Sequence, residues 1–381
     1  MIKRLTLVLV TIMLVCVPMM ASYAERVSAG TIEDKNLCIT DDNRPFVNAV
    51  NNVQNNGWLV TDGEYLYCRT GGNTHVARLY DDFTGEVIMD NILNDCAFYY
   101  QDGYIYVRGR HNGKAVEKTR GIWRFKVHNG YMDSEPERIV NASVYNYTID
   151  ERYIYYQVEG EKPIYRIDMQ KYNGGASLKE SRITIANHPI RFKNIICRMM
   201  VNNDTLYYIN DKDHCLYSIP CHESDTSYAA MGGSLTPMRV SNIPMHYFIL
   251  TAYKGEMIAI FTKYASSNDE LNKARLGAIY MSNGEPVKDL SFLEQIRSRY
   301  INTMGGYLYY CDSADDKNLY RVELKETNNP RFEEIKSGMS LGYPLCFSDW
   351  VFADCVDENG VFYAYNISTN TGKVFRIRSD Y

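Results

Sequence analysis

Long basic tracts and apolar runs beyond Val17 are both missing from this sequence. The 381 residues carry a net charge of −5, from 41 Lys and Arg against 46 Asp and Glu. A nucleic-acid surface needs clustered Lys and Arg to neutralise phosphates, so the sequence argues against DNA or RNA as a partner. A membrane helix needs roughly 20 consecutive apolar residues, so no membrane span is expected in the mature chain.

Motifs with a catalytic mechanism are also scarce. The sequence has no H-E-x-x-H zinc helix and no G-x-x-x-x-G-K phosphate loop. Carboxylates are abundant, but the sequence alone pairs no two of them for glycoside hydrolysis. We therefore predict no catalytic, cofactor-binding or metal-ligating residues, and no cofactor.

The first residues have the pattern of a secretory signal. Lys3 and Arg4 supply a positive start, Leu5–Val17 is apolar apart from two Thr, and Ser22–Ala24 resembles a cleavage site. We predict a signal peptide over residues 1–24 and a secreted or extracellular mature chain that begins at Glu25. Its removal takes away two positive charges and no negative one, so the net charge goes from −5 to −7. An uncleaved anchor is the less favoured alternative.

The cysteines do not form a recognisable disulfide framework. Nine remain after the signal peptide, an odd and irregularly spaced set: Cys38, Cys68, Cys96, Cys197, Cys215, Cys221, Cys311, Cys346 and Cys355. Several lie inside strand patterns, where Cys behaves as a small buried apolar residue. One or two bridges stay open as an alternative.

A repeated hairpin pattern runs along the chain. Each unit has a turn and then alternating aromatic and aliphatic residues, with anchors at Leu66, Ile105, Ile154, Leu206, Met257, Leu308 and Val351. We predict that Leu66, Ile105, Ile154, Leu206 and Leu308 are buried core residues of the blades. The anchors are 39 to 52 residues apart. Short strands at this period, without a helical layer, predict an all-β fold, a β-propeller over residues 46–381. Seven units predict seven blades, with six as the alternative if the irregular fifth unit is an insertion.

Other segments fit around this pattern. Residues 25–45 have few periodic apolar positions, so we predict an N-terminal leader, part of which could add a strand that closes the ring. Leu290–Tyr300 is spaced like one short helix. Tyr occurs 33 times, which fits half-buried strands with packed rings and wet hydroxyls. A binding surface is the alternative explanation of this excess.

The opening of the repeat supports a family resemblance. Asn51–Gly57 is rich in Asn and leads into Asp62–Gly63 and Tyr65–Tyr67. With the later hairpins and Tyr-Arg strands, this opening resembles a bacterial domain-of-unknown-function family, named for its likeness to the propeller of low-density-lipoprotein-receptor-related proteins. The resemblance covers about residues 46–381 and implies a propeller without known activity. The receptor repeat Tyr-Trp-Thr-Asp is replaced here by Tyr-Leu-Tyr or Tyr-Ile-Tyr, so the receptors' ligands are not carried over.

Two groups of residues could in principle hold a metal. Soft ligands occur together at His214, Cys215, Cys221 and His222. Zinc favours such ligands, but along a strand Cys215 and Cys221 would lie roughly 20 Å apart, at about 3.3 Å per residue. We therefore predict ordinary strand packing. The acidic loops 211–213 and 312–316 could offer oxygens to a hard cation, and there we predict solvated turns.

These features predict a secreted, non-catalytic propeller that binds a protein or a glycan at the cell surface, as a monomer. Loops on a rigid scaffold are where binding residues usually lie. Two alternatives stay open: a secreted polysaccharide hydrolase or lyase, and a structural envelope protein. An enzyme should gather two carboxylates or a His at the channel mouth. A binder should present Tyr, Asn and Arg there without strongly shifted acids.

Overall fold

The structure is a computed structural model that describes most of the chain between residues 52 and 376. The described residues are 52, 57–62, 64–69, 76–79, 85–89, 92–94, 98–111, 121–174, 182–190, 199–202, 204–221, 235–347, 349–356 and 360–376. The predicted signal peptide (1–24) and leader (25–45) therefore lie outside the described residues.

The described residues form 29 strands in seven sheets, and each sheet is built from consecutive strands. Blade 1 holds β1 (Leu59–Thr61), β2 (Leu66–Arg69), β3 (Val76–Leu79) and β4 (Gly85–Met89). Blade 2 holds β5 (Ile92–Asn94), β6 (Tyr99–Gln101), β7 (Tyr104–His111), β8 (Gly121–His128), β9 (Tyr131–Met132) and β10 (Glu137–Val140). Blade 3 holds β11 (Val144–Ile149), β12 (Tyr153–Val158), β13 (Pro163–Asp168) and β14 (Arg182–Asn187).

The remaining blades follow in chain order. Blade 4 holds β15 (Met199–Asn202), β16 (Thr205–Ile209), β17 (Leu216–Pro220) and β18 (Met238–Arg239). Blade 5 holds β19 (Met245–Tyr253), β20 (Glu256–Lys263) and β21 (Leu276–Tyr280). Blade 6 holds β22 (Ser298–Met304), β23 (Tyr307–Asp312), β24 (Leu319–Glu323) and β25 (Glu333–Lys336), and blade 7 holds β26 (Leu341–Phe347), β27 (Trp350–Cys355), β28 (Val361–Asn366) and β29 (Thr371–Arg376). The predicted seven-bladed β-propeller is confirmed.

Blade 5 replaces its fourth strand with a helical segment. A short helix, α1 (Asn268–Leu271), lies between β20 and β21, and a 3₁₀ helix spans Lys288–Gln295. The residues on either side of this 3₁₀ helix bind the free edge of β21. Val287 N–H donates to the Ala278 carbonyl, and Leu276 N–H donates to the Ile296 carbonyl. The predicted helix over Leu290–Tyr300 is thus wrong in its second half, since β22 begins at Ser298.

The strand order defines two ends of the propeller. First strands of neighbouring blades contact one another, as β11 does β15 and β22 does β26, so they lie nearest the axis. Paired strands within the blades are antiparallel. Turns between first and second strands therefore lie at one end, here the lower end. Loops between second and third strands lie at the upper end, together with the connections between blades.

The lower-end turns agree with the turn residues in the sequence. Asp102–Gly103, Lys254–Gly255 and Gly305–Gly306 each have positive φ at both positions. Two consecutive positive φ values define the primed turn that matches the twist of paired strands. The Asp-Gly, Lys-Gly and Gly-Gly pairs thus form primed turns in these blades.

Apolar side chains fill the interfaces between neighbouring blades instead of one central core. Five of the seven predicted anchors are completely buried: Ile105, Ile154, Leu206, Leu308 and Val351. Leu66 and Met257 are only half-buried. Each lies at the margin of an interface cluster, so the prediction that Leu66 is a core residue is wrong in degree.

The repeated Tyr and Arg residues build the blades themselves. In four blades a third-strand Arg lies over the ring of the Tyr near the start of the second strand: Arg78–Tyr65, Arg124–Tyr104, Arg166–Tyr153 and Arg321–Tyr307. Three of these Arg also pair with a Glu of the blade's outermost strand: Glu86, Glu137 and Glu333. Such cation–π and ionic contacts are intramolecular, so these repeated residues are not free ligand anchors.

Several tyrosines are more deeply buried than the pattern suggested. Tyr67 and Tyr155 are completely buried. Their hydroxyls donate to Asp62 and Asp150 of the adjoining turns at 2.6 and 2.8 Å. The expectation of wet hydroxyls is wrong here, because both faces of a blade are covered and a turn carboxylate takes the place of water.

Side-chain contacts join blade 7 to blade 1. Trp58, which precedes β1, stacks on Phe362 of β28 with a centroid distance of 4.6 Å. The Asn52 amide binds both the N–H and the C=O of Cys346 at 2.8 Å each, and its oxygen accepts from Asn302 Nδ2 at 2.7 Å. Blade 7 supplies its own four strands, and the proposed closing strand from residues 25–45 lies outside the described residues.

The six described cysteines are free thiols: Cys68, Cys215, Cys221, Cys311, Cys346 and Cys355. All but Cys355 are buried, which agrees with their prediction as small apolar residues. Cys38, Cys96 and Cys197 lie outside the described residues.

Candidate functional site

Four blades begin with a bulge at the upper end, next to the axis. The register slips between Val144 and Asn146, Met245 and Tyr247, Ser298 and Ile301, and Gly342 and Leu345. A bulge re-aims side chains out of the regular pleat, and bulges are over-represented beside functional sites. These four bulges thus lie around the upper mouth of the channel.

Two of these bulges bring Tyr300 and Tyr343 together. Their ring centroids are 4.0 Å apart with an interplanar angle of 29°, and their hydroxyl oxygens are 3.1 Å apart. Both side chains are half-buried. Aromatic residues with a packed ring and a polar tip are common anchors in binding surfaces.

The backbone of Tyr343 is strained, and hydrogen bonds from two side chains fix it and the next residue in place. Its φ is 49°, in the left-handed region that a bulky residue rarely adopts. Trp58 Nε1 donates to the Tyr343 carbonyl at 3.3 Å, and Asn302 Nδ2 donates to the Pro344 carbonyl at 3.0 Å. Because strained residues cluster where surrounding structure fixes a functional geometry, we treat Tyr343 as a candidate site residue.

A buried carboxyl group lies near Tyr300. Asp354, near the upper end of β27, is 7% exposed, and its Oδ1 has no hydrogen-bond partner among the described residues. Burial raises the pKa of this carboxyl to about 7, although Arg69 and Lys317 act to lower it. A Cβ added at Gly342 would lie 3.7 Å from both Asp354 Oδ1 and Tyr300 Cδ2. The carboxyl and the ring therefore both lie close to Gly342, next to the side chain of Val356.

A second carboxyl in the neighbouring blade is shifted in the same direction. Asp312 ends β23, and burial raises its pKa, with Asp315 adding to the rise. Two acids with raised pKa values thus lie at the upper ends of blades 6 and 7, on second strands and not on the first strands next to the axis. Shifted acids at the channel mouth itself are the feature that we expected of an enzyme.

A cleft of about 850 Å³ opens at the upper end between blades 6 and 7. It is lined by Asp316, Gly338, Met339, Ser340, Cys355, Val361, Val374, Phe375 and Arg376. Ligand pockets commonly have volumes of about 300 to 1,000 Å³ and mix apolar walls with a few polar groups. The volume of the cleft falls within this range.

Sequence reasoning passed over one motif in this cleft. Residues 338–342 read G-M-S-L-G, which matches the G-x-S-x-G pattern of nucleophilic serines. Ser340 has a φ of 52°, but strand β26 follows it where the motif requires a helix. A nucleophilic serine also needs a base within hydrogen-bond reach, and no such bond to the Ser340 hydroxyl occurs in the described part of the chain. We assign Ser340 to the cleft lining.

The His-Cys segment is divided by a strand. Cys215 precedes β17 and Cys221 follows it, and both are buried. His214 stacks on Tyr264 at a centroid distance of 4.1 Å, and His222 lies outside the described residues. Within the ranges that the structure describes, no group of three or more His, Cys, Asp or Glu could hold a metal ion.

The acidic loops use their carboxylates internally. Asp213 accepts from the Tyr217 hydroxyl at 2.7 Å, and Asp312 accepts from the Ala314 N–H at 2.8 Å. The Tyr320 hydroxyl donates to Asp315. These contacts shape the turns and fix the third-strand tyrosines that follow them.

No family model matches this sequence, and the comparison with curated proteins found no match. Among solved structures, the chain is similar to dihydro-heme d1 dehydrogenase NirN in complex with DHE, with a TM-score of 0.48, 12% identity, and coverage of 85% of this chain and 65% of NirN. It thus spans about two thirds of NirN. BamB from Moraxella catarrhalis gives a TM-score of 0.42, 13% identity, and coverage of 79% and 80%. A chain of the nidogen/laminin complex gives 0.39, 9%, and coverage of 67% and 90%.

None of the helices in the described ranges is long and apolar enough to cross a membrane.

The site residues that matter most were not singled out from the sequence. Tyr300, Tyr343 and Asp354 come from two blades, and the fold brings them to one mouth. A signal was present for two of them. Pro344 inside an inner strand implies a bulge, which would have marked Tyr343. Asp354 interrupts an otherwise apolar strand, which is a sign of a buried acid.

Proposed function

We propose that this protein is a secreted bacterial binding module that recognises a protein or a glycan through the upper mouth of its propeller. The Tyr300–Tyr343 pair carries this proposal. It is built on two bulges and supported by Trp58 and Asn302. A rigid tyrosine pair offers amphipathic contact area at a low entropic cost.

Secretion and family membership belong to the same proposal. They rest on the charged start, the apolar run, the cleavage pattern at Ser22–Ala24 and the resemblance to the bacterial propeller family. N-terminal sequencing of protein recovered from the culture medium of the producing organism should begin at Glu25. Protein that stays in the membrane fraction with residues 1–24 intact would contradict secretion.

Binding is tested with variants at opposite ends of the propeller. The immobilised protein is exposed to cell-wall glycans and surface proteins of the producer, and each captured species is titrated. Tyr300→Ala and Tyr343→Asn should each weaken binding about tenfold or more, as expected of interface anchors. Asn is chosen at position 343 because it tolerates a positive φ.

The matched control is Tyr131→Ala. Tyr131 is a tyrosine 48% exposed at the lower end, so its removal should leave binding unchanged. Equal losses in Tyr131→Ala and Tyr300→Ala would show that the upper mouth is not the binding surface. If the protein is a purely structural envelope protein, neither the wild type nor the variants should capture a glycan or a surface protein.

A second candidate is a polysaccharide hydrolase or lyase that uses the same mouth. The pKa of Asp354, raised by burial to about 7, favours it, because a carboxyl that is protonated near neutral pH can act as a general acid. The pKa of Asp312 is shifted in the same direction. Asp354→Asn should then abolish turnover of wall polysaccharides while binding persists. Wild-type protein that binds a glycan without cleaving it would remove this candidate.

A further inference from the structure

His188 lies in the connection between blades 3 and 4, at the upper end, and both of its ring nitrogens are engaged. Nδ1 is 2.5 Å from the Tyr208 hydroxyl, and Nε2 is 2.8 Å from Asn210 Nδ2. The ring also meets Tyr208 and Tyr217 edge-on, at centroid distances of 5.6 and 4.7 Å. These contacts fix the ring in one orientation.

The direction of the hydrogen bond to His188 follows from the other contacts of Asn210. The Asn210 Oδ1 accepts from the backbone N–H groups of Lys212 and Asp213 at 2.8 and 3.4 Å, and Nδ2 donates to the Pro189 carbonyl at 3.1 Å. A reversed amide would set donors against donors and oxygen against oxygen. Nδ2 therefore donates to His188 Nε2, which must carry a lone pair, and the neutral ring holds its proton on Nδ1.

We propose that His188 is a pH-sensitive latch for the upper rim of blade 4. Protonation puts an N–H on Nε2 directly opposite the N–H of Asn210, with no acceptor between them. The conflict is relieved only when Asn210 releases Lys212 and Asp213, or when the ring leaves Tyr208 and Tyr217. The first movement withdraws the Asn210 side-chain acceptor from the turn over residues 211–214.

The surrounding charges set the direction of the response. Burial lowers the pKa of His188 below its usual value, Asp213 acts to raise it, and Lys212 acts to lower it. Arg239 of β18 lies 3.7 Å from Asp213 and offsets part of that carboxylate's charge. Since the unfolded chain binds the proton more readily, the latch contributes fully above about pH 6.5, and its contribution falls as the pH drops through the lowered pKa.

The turn controlled by the latch reaches into blade 5. The His214 carbonyl accepts from Met245 N–H at 2.8 Å, and the His214 ring stacks on Tyr264, which is 37% exposed. Release of the turn would therefore disturb an aromatic stack on the upper surface of two blades. The pH response of His188 does not depend on whether the mouth at blades 6 and 7 binds a ligand.

The test is nuclear magnetic resonance of the purified protein with ¹⁵N-labelled histidine. His188→Gln assigns the His188 signals among those of the seven histidines. At about pH 8 the His188 Nε2 should be unprotonated and Nδ1 protonated, with titration below the usual histidine pKa of about 6.5. In Asn210→Asp a carboxylate keeps the bonds to the turn and can accept from Nε2–H, so proton affinity at His188 should rise about tenfold or more.

Amide exchange reports on the turn itself. In the wild type, protection of the Lys212 amide should fall about tenfold as His188 protonates, because its acceptor is withdrawn. The fall should be absent in His188→Gln, where nothing at this position titrates. Any one of three results would overturn the proposal. These are a proton on Nε2 of neutral His188 in the wild type, an unchanged His188 pKa in Asn210→Asp, and amide protection of Lys212 that does not change when His188 is protonated.

Discussion

Replacing Asp354 with Asn should stabilise the protein, and the gain should grow with pH. The Asp354 pKa is about 7 in the fold against an ordinary value of 3.8. Between these values the folded protein binds the proton more tightly than the unfolded chain does. Its stability therefore falls as the pH rises from about 4 to about 7, and then stays at the lower level. Three pH units at about 1.4 kcal/mol each give an upper limit of about 4 kcal/mol.

Urea unfolding at about pH 4 and about pH 8 measures this effect. At the lower pH both side chains are neutral, so wild type and Asp354→Asn should differ little. At the higher pH the variant should be more stable by about 2–4 kcal/mol, because no charge is left buried without a partner. Asp349→Asn, the same change in an exposed lower-end turn of blade 7, is the control. A gap between Asp354→Asn and wild type that does not widen with pH would refute the reasoning.

Three further substitutions test the blade interfaces and the ring closure. Leu206→Ala should lower the free energy of unfolding in urea by about 2–5 kcal/mol because Leu206 is completely buried. Leu66→Ala, at a half-buried position, should cost clearly less. Equal losses would mean that burial does not decide which anchor contributes more to stability. Asn52→Ala should cost about 2–4 kcal/mol in the same assay, since it removes three buried hydrogen bonds, two to the backbone of Cys346 and one to the amide of Asn302. A loss below about 0.5 kcal/mol would show that water replaces the Asn52 amide.

The seven blades could be predicted because each one repeats local signals. Turns such as Asp102–Gly103 and the alternation around Leu206 depend on residues that are close in sequence. The missing fourth strand of blade 5 could not be predicted in the same way. Leu290 and Leu293 are spaced for one side of either an α-helix or a 3₁₀ helix, and the contacts of β21 with Val287 and Ile296 decide between them.

The candidate site depended on contacts that no local pattern contains. Tyr300 and Tyr343 are 43 residues apart and meet only because two neighbouring first strands slip in register at equivalent places. The raised pKa of Asp354 likewise depends on burial between packed strands. Alternation of apolar and aromatic residues predicts which residues face a neighbouring blade, but it does not predict where that alternation is broken.

The closure through Asn52 has a consequence for how the chain folds. Each blade forms from nearby hairpins, but the bonds from Asn52 to Cys346 span 294 residues, and long-range closure is entropically costly and slow. In a chain that folds from its N-terminus, Asn52 and Trp58 therefore lack their contacts with blade 7 until that blade is complete. Until then the apolar faces of the first and last blades, including Trp58 and Phe362, are open to aggregation. Closure of the ring buries these faces against each other between blades 7 and 1.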